Sequence, residues 1–512
     1  MIKAGDVITH PFFINRNIWN NSAWRVLNFL FCQRCGYPVP GKHGSCHADH
    51  NGTHNGQRFT LNGGWHDAGD LSQNPKQTAE IVHALFELAN NAKAKGNKDL
   101  YLRLNEEALW GLDYILRARF GDGFRASRAM TNLWTDRIHD TVDDVGRPQI
   151  HVRNGAWENF IYAAATAYAS MSIDGDAALK EYTQKVAKED FGFALQRFED
   201  VEKAMPLSGQ QPNIDTRGLF STRVSPSQYM ATISWSASML YKLTKDPYYA
   251  EKAADFIKYV IDCQRVHPLN DKDGISGFFY RCTDKKSIVH FMHQTEDQVF
   301  MSAMTALCET QPNHPDFKNW DNAIRLYAGY LKKIMQYVEP YGMIPSGVYH
   351  IDEPVNDSLA FYTLHLAVNR DVLDDYREQL RNGVKLDDEH YLKVFPVWFS
   401  FRGNTAIHLA TGKAAALIGK YLKDKELMNI AERQLFWTVG KNPFGQSLIW
   451  GEGYNYPQMY CPLPGETTGQ IPVGIQTRRN EDVPYFPQFN YCTYKEVWVK
   501  PAGKWLSLIA EF

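Results

Sequence analysis

Apolar residues return at helical spacing from one end of this 512-residue chain to the other, whereas the strict alternation that marks strands is scarce and short. That restricts the chain to an all-α architecture. The periodicity predicts helices over 24–35, 77–95, 100–119, 155–171, 177–198, 226–243, 248–264, 295–310, 320–338, 358–369, 404–421 and 426–439, with a last one near 501–512. A dozen helices in succession suggest hairpins repeated around an axis. Their sequences do not visibly repeat, so number and length carry that reading, and from pattern alone a helical solenoid is equally possible.

No Pro/Gly/Ser-rich linker, charge block or low-complexity run divides the chain, so one large domain over 13–512 is expected behind an extension of about a dozen residues. A formal net charge of −2 without a Lys/Arg cluster argues against nucleic acid or an anionic membrane as partner. An uncharged partner and a monomer are the simplest expectations. Aromatic residues make up 13% of the chain, and its 13 Trp and 27 Tyr suit stacking against sugar rings. No stretch approaches the length of a membrane span, and Met1-Ile2-Lys3-Ala4-Gly5-Asp6 lacks the apolar core of a secretory signal, which leaves the compartment open. Eight cysteines are too few for a disulfide scaffold; Cys263, Cys282 and Cys308 read as scattered buried thiols.

The stretch richest in chemistry is Gly63-Gly64-Trp65-His66-Asp67-Ala68-Gly69-Asp70. Two carboxylates three residues apart, separated only by Ala68 and Gly69, can turn toward one point and share a water. Two acceptors on one water orient its lone pair and take its proton, as a general base must when water is the nucleophile. The plain alternative is a Gly-rich turn with two solvated aspartates.

Read as Gly-Gly-Trp-(Tyr/His)-Asp-Ala-Gly-Asp, these residues resemble the base loop of glycoside hydrolase family nine, the inverting cellulase family. The tract from Trp24 to Gly36 with its Gln33-Arg34-Cys35-Gly36, the Cys46-His47 pair, and Lys441-Asn442-Pro443 with Gly445 and Ser447 resemble the same family in the same order. The resemblance implies an (α/α)6 barrel of six helical hairpins, with a cleft built from loops at one end. Relatives with Trp-His-Asp-Ala-Gly-Asp often carry an immunoglobulin-like sandwich before the barrel, and at most a dozen residues precede Phe12-Phe13-Ile14 here.

Similarity to these relatives also implies a structural zinc held by Cys35, Cys46, His47 and His66, two thiolates and two imidazoles that satisfy a tetrahedral ion. Its role would be to position the base loop. The spacing is not that of a zinc finger; Cys32, His43, His50 or His54 could replace one ligand, and buried thiols or a Cys35–Cys46 disulfide are the alternatives without metal. No spacing places the calcium ions that some relatives bind.

The family's catalytic acid is a Glu near the C-terminus. The matching stretch, Tyr491-Cys492-Thr493-Tyr494-Lys495-Glu496-Val497-Trp498, makes Glu496 the candidate, with Tyr494 and Trp498 able to desolvate it and Lys495 opposing if it points inward. Glu481 and Asp482 come next. Departures are concentrated here: Gln488, Cys492 and Ala502 stand where the family has other residues, and Asn455-Tyr456-Pro457-Gln458 leads into Met459-Tyr460-Cys461-Pro462 instead of a His-x-Arg, with Arg478 or Arg479 as substitute cation. Tyr456, Trp134, Trp398 and Trp498 are candidate sugar platforms, each also readable as core. The resulting expectation is an inverting hydrolase of β-linked glucans with Asp70 as base, Asp67 holding the water and Glu496 as acid, acting as an endo-β-1,4-glucanase. An exo-acting glucosidase, cellobiohydrolase or glucosaminidase, and a silent carbohydrate-binding barrel, are the alternatives.

Overall fold

The computed structural model describes residues 1–12, 14–15, 17–48, 50–69, 72–130, 149–202, 224–290, 297–358, 361, 372–397, 403–461 and 465–512. Twelve helices build the body: α1 Ile18–Cys32, α2 Pro75–Ala94, α3 Lys98–Arg117, α4 Ala156–Ser172, α5 Ala177–Arg197, α6 Pro226–Thr244, α7 Pro247–Asp262, α8 Val299–Thr310, α9 Phe317–Ile334, α10 Thr405–Leu422, α11 Lys425–Thr438 and α12 Val499–Ile509. All but one of the expected helices are among them; the one at 358–369 falls mainly outside the described residues. Helix α1 begins at Ile18, earlier than expected. The polar Asn20-Asn21-Ser22 hides its first turn in the sequence, yet Trp19, Ser22 and Ala23 are buried there.

Packing closes the solenoid alternative. Helix α2 contacts α4, α4 contacts α6, α6 contacts α8, α8 contacts α10, α10 contacts α12, and α12 returns to α2. These six form a closed inner ring. Each carries an outer partner: α3, α5, α7, α9 and α11 follow their inner helices, and α1 packs on α12. Composition matches position. Inner helices are buried nearly all round and use small residues where neighbours crowd, as at Ala163-Ala164-Ala165 in α4 and Ala414-Ala415-Ala416 in α10. Outer helices bury one stripe, such as Trp320, Ile324, Tyr327 and Leu331 of α9.

The connections decide where function sits. Within each hairpin the inner helix turns into its outer partner over a short link, as at 95–97, 245–246 and 423–424. Every inner helix therefore begins at the same end of the barrel, and the long connections 33–74, 118–155, 198–225, 263–298, 335–404 and 439–498 all gather there. Two of the six helix entries are capped by side chains: Asn74 accepts from Gln77 N–H at α2, and Ser225 with Gln228 forms a capping box ahead of Pro226 at α6. Small sheets stiffen the rim. Strands Asn51–His54 and Gln57–Thr60 join Arg125–Met130 and Gln149–Arg153 in one four-stranded sheet, and Gly347–His350, Val384–Lys385 and His390–Lys393 make a second. Among the described residues no helix is long and apolar enough to cross a membrane.

Candidate active site

All candidate site residues fall in those long connections or, for Trp498, at the boundary of the last one. The base loop is fixed from several directions. Gly63 and Gly64 both take positive φ, at 114° and 61°, and a Cβ on Gly64 would meet the Tyr114 ring at 2.6 Å. Cys35 N–H donates to Gly64 O at 3.0 Å and His66 N–H to Gln33 O at 2.9 Å. Beneath them Trp65 is fully buried, and its indole N–H donates to Glu107 Oε1 of α3 at 2.7 Å. Glu107, itself without solvent exposure, accepts from both arms of Arg34 at 3.1 and 2.8 Å and pairs with Arg103 at 2.8 Å. One carboxylate balanced by two guanidiniums and an indole is a well-satisfied buried charge. The sequence reading missed it, because Arg34 and Glu107 are 73 residues apart; the only local sign is an acid on the buried face of α3.

Next to this network the structure brings together Cys35, Cys46, His47 and His66, all buried, with their ligand atoms within 4.8 Å of one another. Cys35 Sγ lies 3.2 Å from His47 Nδ1, Cys46 Sγ 3.3 Å from His66 Nε2, and the two ring nitrogens 3.1 Å apart. A tetrahedral zinc with ordinary bond lengths has edges of about 3.3 Å between nitrogens and about 3.6 Å between nitrogen and sulfur. Three edges of the donor set therefore match such an ion to within a few tenths of an ångström, and the chemistry of two thiols and two imidazoles suits it. Both cysteines are free thiols, which removes the disulfide alternative. Of the substitute ligands, His43 flanks the cluster, with Nδ1 3.9 Å from Cys46 Sγ and Nε2 3.0 Å from Cys32 O, whereas His50 Nδ1 is 3.1 Å from Gln73 Oε1 and His54 pairs with Asp122 at 2.7 Å. Gly36 N–H donates to Cys46 Sγ at 3.3 Å, as second-sphere groups do for thiolates. A hydrogen bond from Cys35 holds the Cys46 thiol far below its usual range, whereas burial pushes Cys35 well above it.

The loop of the candidate acid is held mainly by backbone pairing. Glu496 ends the short helical turn Cys492–Lys495, its N–H donating to Cys492 O at 3.2 Å and its carbonyl accepting from Val473 N–H at 2.8 Å. It is 7% exposed. A parallel bridge pairs it with Tyr460, and Tyr494 and Trp498 beside it are buried, consistent with desolvation of a carboxyl. Lys495 does not oppose this: its ammonium donates to Gln488 O at 2.9 Å and lies over the Phe486 ring at 5.2 Å, and burial lowers its pKa. Of the other acids, Glu481 is exposed. Asp482 accepts from Val394 and Phe395 N–H at 2.9 and 3.0 Å and pairs with buried Lys393 at 3.1 Å, a structural anchor.

A backbone seam joins the two loops. Val499 N–H donates to Asp67 O at 2.9 Å, Asp67 N–H donates to Ser72 O at 2.7 Å, and Ala68 forms an antiparallel bridge with Trp498. Glu496 is two residues upstream on that same segment, so its Cα sits within about 10 Å of Ala68, counting ~3.3 Å per extended residue and ~5 Å across the bridge. Asp70, Trp134 and Trp398 lie outside the described residues. Of the remaining candidates for sugar contacts, Tyr456 is 36% exposed with its ring edge-on to Trp450 at 4.6 Å. Trp498 is only 4% exposed and packs in the main core, so its faces serve packing. Arg478 and Arg479 are both exposed on the turn between Gln476–Thr477 and Pro484–Tyr485.

Comparison with known proteins follows the same outline. A sequence search of curated proteins gives no match. Among solved structures, the chain is similar to the cellulase Cel9M of C. cellulolyticum, with TM-score 0.60, 16% identity, and 96% of this chain and 97% of that one covered. It is similar to the endoglucanase of the termite Nasutitermes takasagoensis, with TM-score 0.63, 14% identity and 97% and 99% coverage. A metagenome-derived glycoside hydrolase family 9 endoglucanase gives TM-score 0.65, 16% identity and 96% and 80% coverage. At such identities these matches speak for the fold, an (α/α)6 barrel in each case. The family model "Glycosyl hydrolase family 9" matches residues 19–461, a span that holds the base loop, the Cys/His cluster and most of the barrel. On that match and this fold, the chain belongs to glycosyl hydrolase family 9 and is an O-glycosyl hydrolase acting on a glycan.

Proposed function

We propose that the protein is an endo-β-1,4-glucanase that cleaves β-linked glucans by single displacement with inversion. In this reading Asp70 is the general base, Asp67 helps hold the attacking water and Glu496 protonates the leaving oxygen. The observation that carries it is the seam of Asp67 and Ala68 with Trp498 and Val499, which sets the loop of two aspartates beside the loop of one largely desolvated glutamate. The names of structurally similar cellulases and endoglucanases support the substrate class. We further propose Zn²⁺ on Cys35, Cys46, His47 and His66. Four protein ligands leave it no open position, so it supplies structure only, tying the segment that ends in the base loop to the residues after α1.

An exo-acting reading is favoured by one feature. The N-terminal segment crosses the 439–498 connection, with His10 stacked on Tyr454 at 4.3 Å and Tyr454 OH donating to Pro11 O at 2.8 Å, two residues from Tyr456. One experiment addresses both questions: soluble β-1,4-glucan is digested while viscosity, reducing ends and product anomers by NMR are followed. Early viscosity loss with the α-anomer appearing first is expected. Reducing sugar without viscosity loss moves the reading to exo action, and a β-anomer as first product overturns inversion.

A further inference from the structure

Three of the inner helices, buried nearly all round, each turn a polar line inward. On α2 the line is Glu80, His83 and Glu87, on α8 it is Ser302, Thr305 and Glu309, and along α12 it is Lys500, Lys504, Ser507 and Glu511. Steps of three and four residues put each set on one helical face. All three faces look onto a cavity of about 530 Å³. Residues from all six inner helices line it, which places it on the barrel axis. Its volume is that of a small-molecule site, for which roughly 300–1,000 Å³ is usual. Apolar side chains stabilise a core at least as well as buried ion pairs do, so folding alone does not call for charge here.

The cavity opens away from the cleft. Lys242, Glu309 and Lys420, near the C-terminal ends of α6, α8 and α10, are exposed at its mouth. At the cleft end Lys500 and Lys504 are buried, the first paired with Glu80 and the second donating to Gln298 Oε1 at 3.0 Å. From Lys500 to Glu511 the line climbs roughly 16 Å at the helical rise per residue. Among the described residues, none from the loops of Asp67 or Glu496 lines the cavity, which separates it from the proposed catalytic groups.

Its lining is balanced in charge. Buried Lys413 donates to Glu87 at 3.1 Å and pairs with Glu511, Glu87 also accepts from Ser507 Oγ at 3.2 Å, and Lys500 is matched by Glu80. An ionic ligand entering here is repelled by one sign of charge. A neutral polyol is not: its hydroxyls donate to spare carboxylate lone pairs and accept from ammonium protons, leaving each ion pair intact. The half-buried indole of Trp235, edge-on to His83 at 5.2 Å, adds an apolar face beside them.

We infer that this axial cavity is a second binding site, for a short neutral saccharide, entered from the end of the barrel opposite the cleft. The chain's membership in a glycan-hydrolysing family supplies the source of such sugars, and the inference needs neither endo action nor inversion.

The test is equilibrium dialysis of the full chain against labelled glucose, which no glycosidase cleaves further, and labelled cellobiose. Ser302→Phe fills the cavity, and Lys242→Trp/Glu309→Trp crowds its exposed mouth. At an unchanged thermal midpoint the parent should hold about one more equivalent of sugar per chain than either variant, while kcat and KM on β-glucan stay within about twofold. Equal retention by all three proteins overturns the site, as does no retention by the parent. Displacement of the sugar by inorganic phosphate overturns the neutral ligand. Where a variant loses its thermal midpoint, hydrogen exchange of the parent decides: glucose should slow exchange by about twofold or more over 239–244 and 305–310. Slowing confined to the long connections overturns the site. A parent that cleaves no β-glucan removes the glucanase reading and leaves the dialysis result standing by itself.

Discussion

The base loop and the candidate acid's loop are held by different means. Residues 33–69 are tied largely by side chains: a Cys/His cluster, a buried carboxylate between two arginines and an indole hydrogen bond, with Gly63 and Gly64 at positive φ. The loop around Glu496 is tied by backbone instead: a helical turn, bridges of Glu496 to Tyr460 and Val497 to Pro472, hydrogen bonds with Val473, Gly474 and Ile471, and the seam to Asp67 and Ala68. The family match mirrors this: it spans 19–461 and so includes the first region and not Glu496. A base must aim one water at one carbon, whereas an acid must reach an oxygen on leaving groups of differing size.

The contrast can be broken by experiment. The largest effect is expected from Asp70→Asn, which should lower kcat by about 10²–10⁴ while KM and thermal midpoint hold; activity within threefold of the parent would remove Asp70 from the mechanism. Glu496→Gln should cost roughly 10²–10³ on unactivated glucans and spare aryl glycosides whose leaving groups need no proton. Equal loss on both classes would point instead to Glu481, to be examined as its Gln variant. Withdrawing the metal with a chelator should lower thermal midpoint and activity together, from about one zinc per chain by elemental analysis. A fully active protein without metal would contradict the assignment. Glu107→Ala leaves Arg34 and Arg103 their pairing with the exposed Glu106 and should destabilise by up to about 3–5 kcal/mol in urea unfolding, and a change under 1 kcal/mol would show that Glu106 and solvent satisfy the arginines.

The smallest effect concerns acid. His408 near the start of α10 is buried among apolar groups with neither ring nitrogen bonded, and burial lowers its pKa to about 3. The unfolded chain takes its proton near pH 6.5 and the folded one does not, so stability from this group is whole above about pH 6.5 and is lost progressively as pH falls toward 3. His408→Leu should flatten that part of the thermal-midpoint curve between pH 7 and pH 4. Parallel curves for parent and variant would reject it.

Most of the barrel is legible in the sequence because periodicity reports burial, and burial on one stripe or all round is what separates outer from inner helices here. Closure of the ring is not, since α12 meeting α2 is a contact between opposite ends of the chain. The Cys/His set was readable through the resemblance and is assembled as expected. Glu107 was hidden because its partners come from remote segments, and Trp498, readable in sequence as sugar platform or as core, packs in the core.

The shared direction of the inner helices has an electrostatic consequence. In an up-and-down bundle neighbouring helix dipoles cancel, but six inner helices that all begin at the cleft bring six N-terminal ends, each equivalent to about half a positive charge, to bear on one region. The outer helices oppose this from farther off the axis. The resulting field favours carboxylates at the cleft in their ionised form, which helps a base and works against an acid that must keep its proton. A barrel with this polarity can run both roles only if the acid is withdrawn from water, and Glu496, the acid proposed here, is 7% exposed.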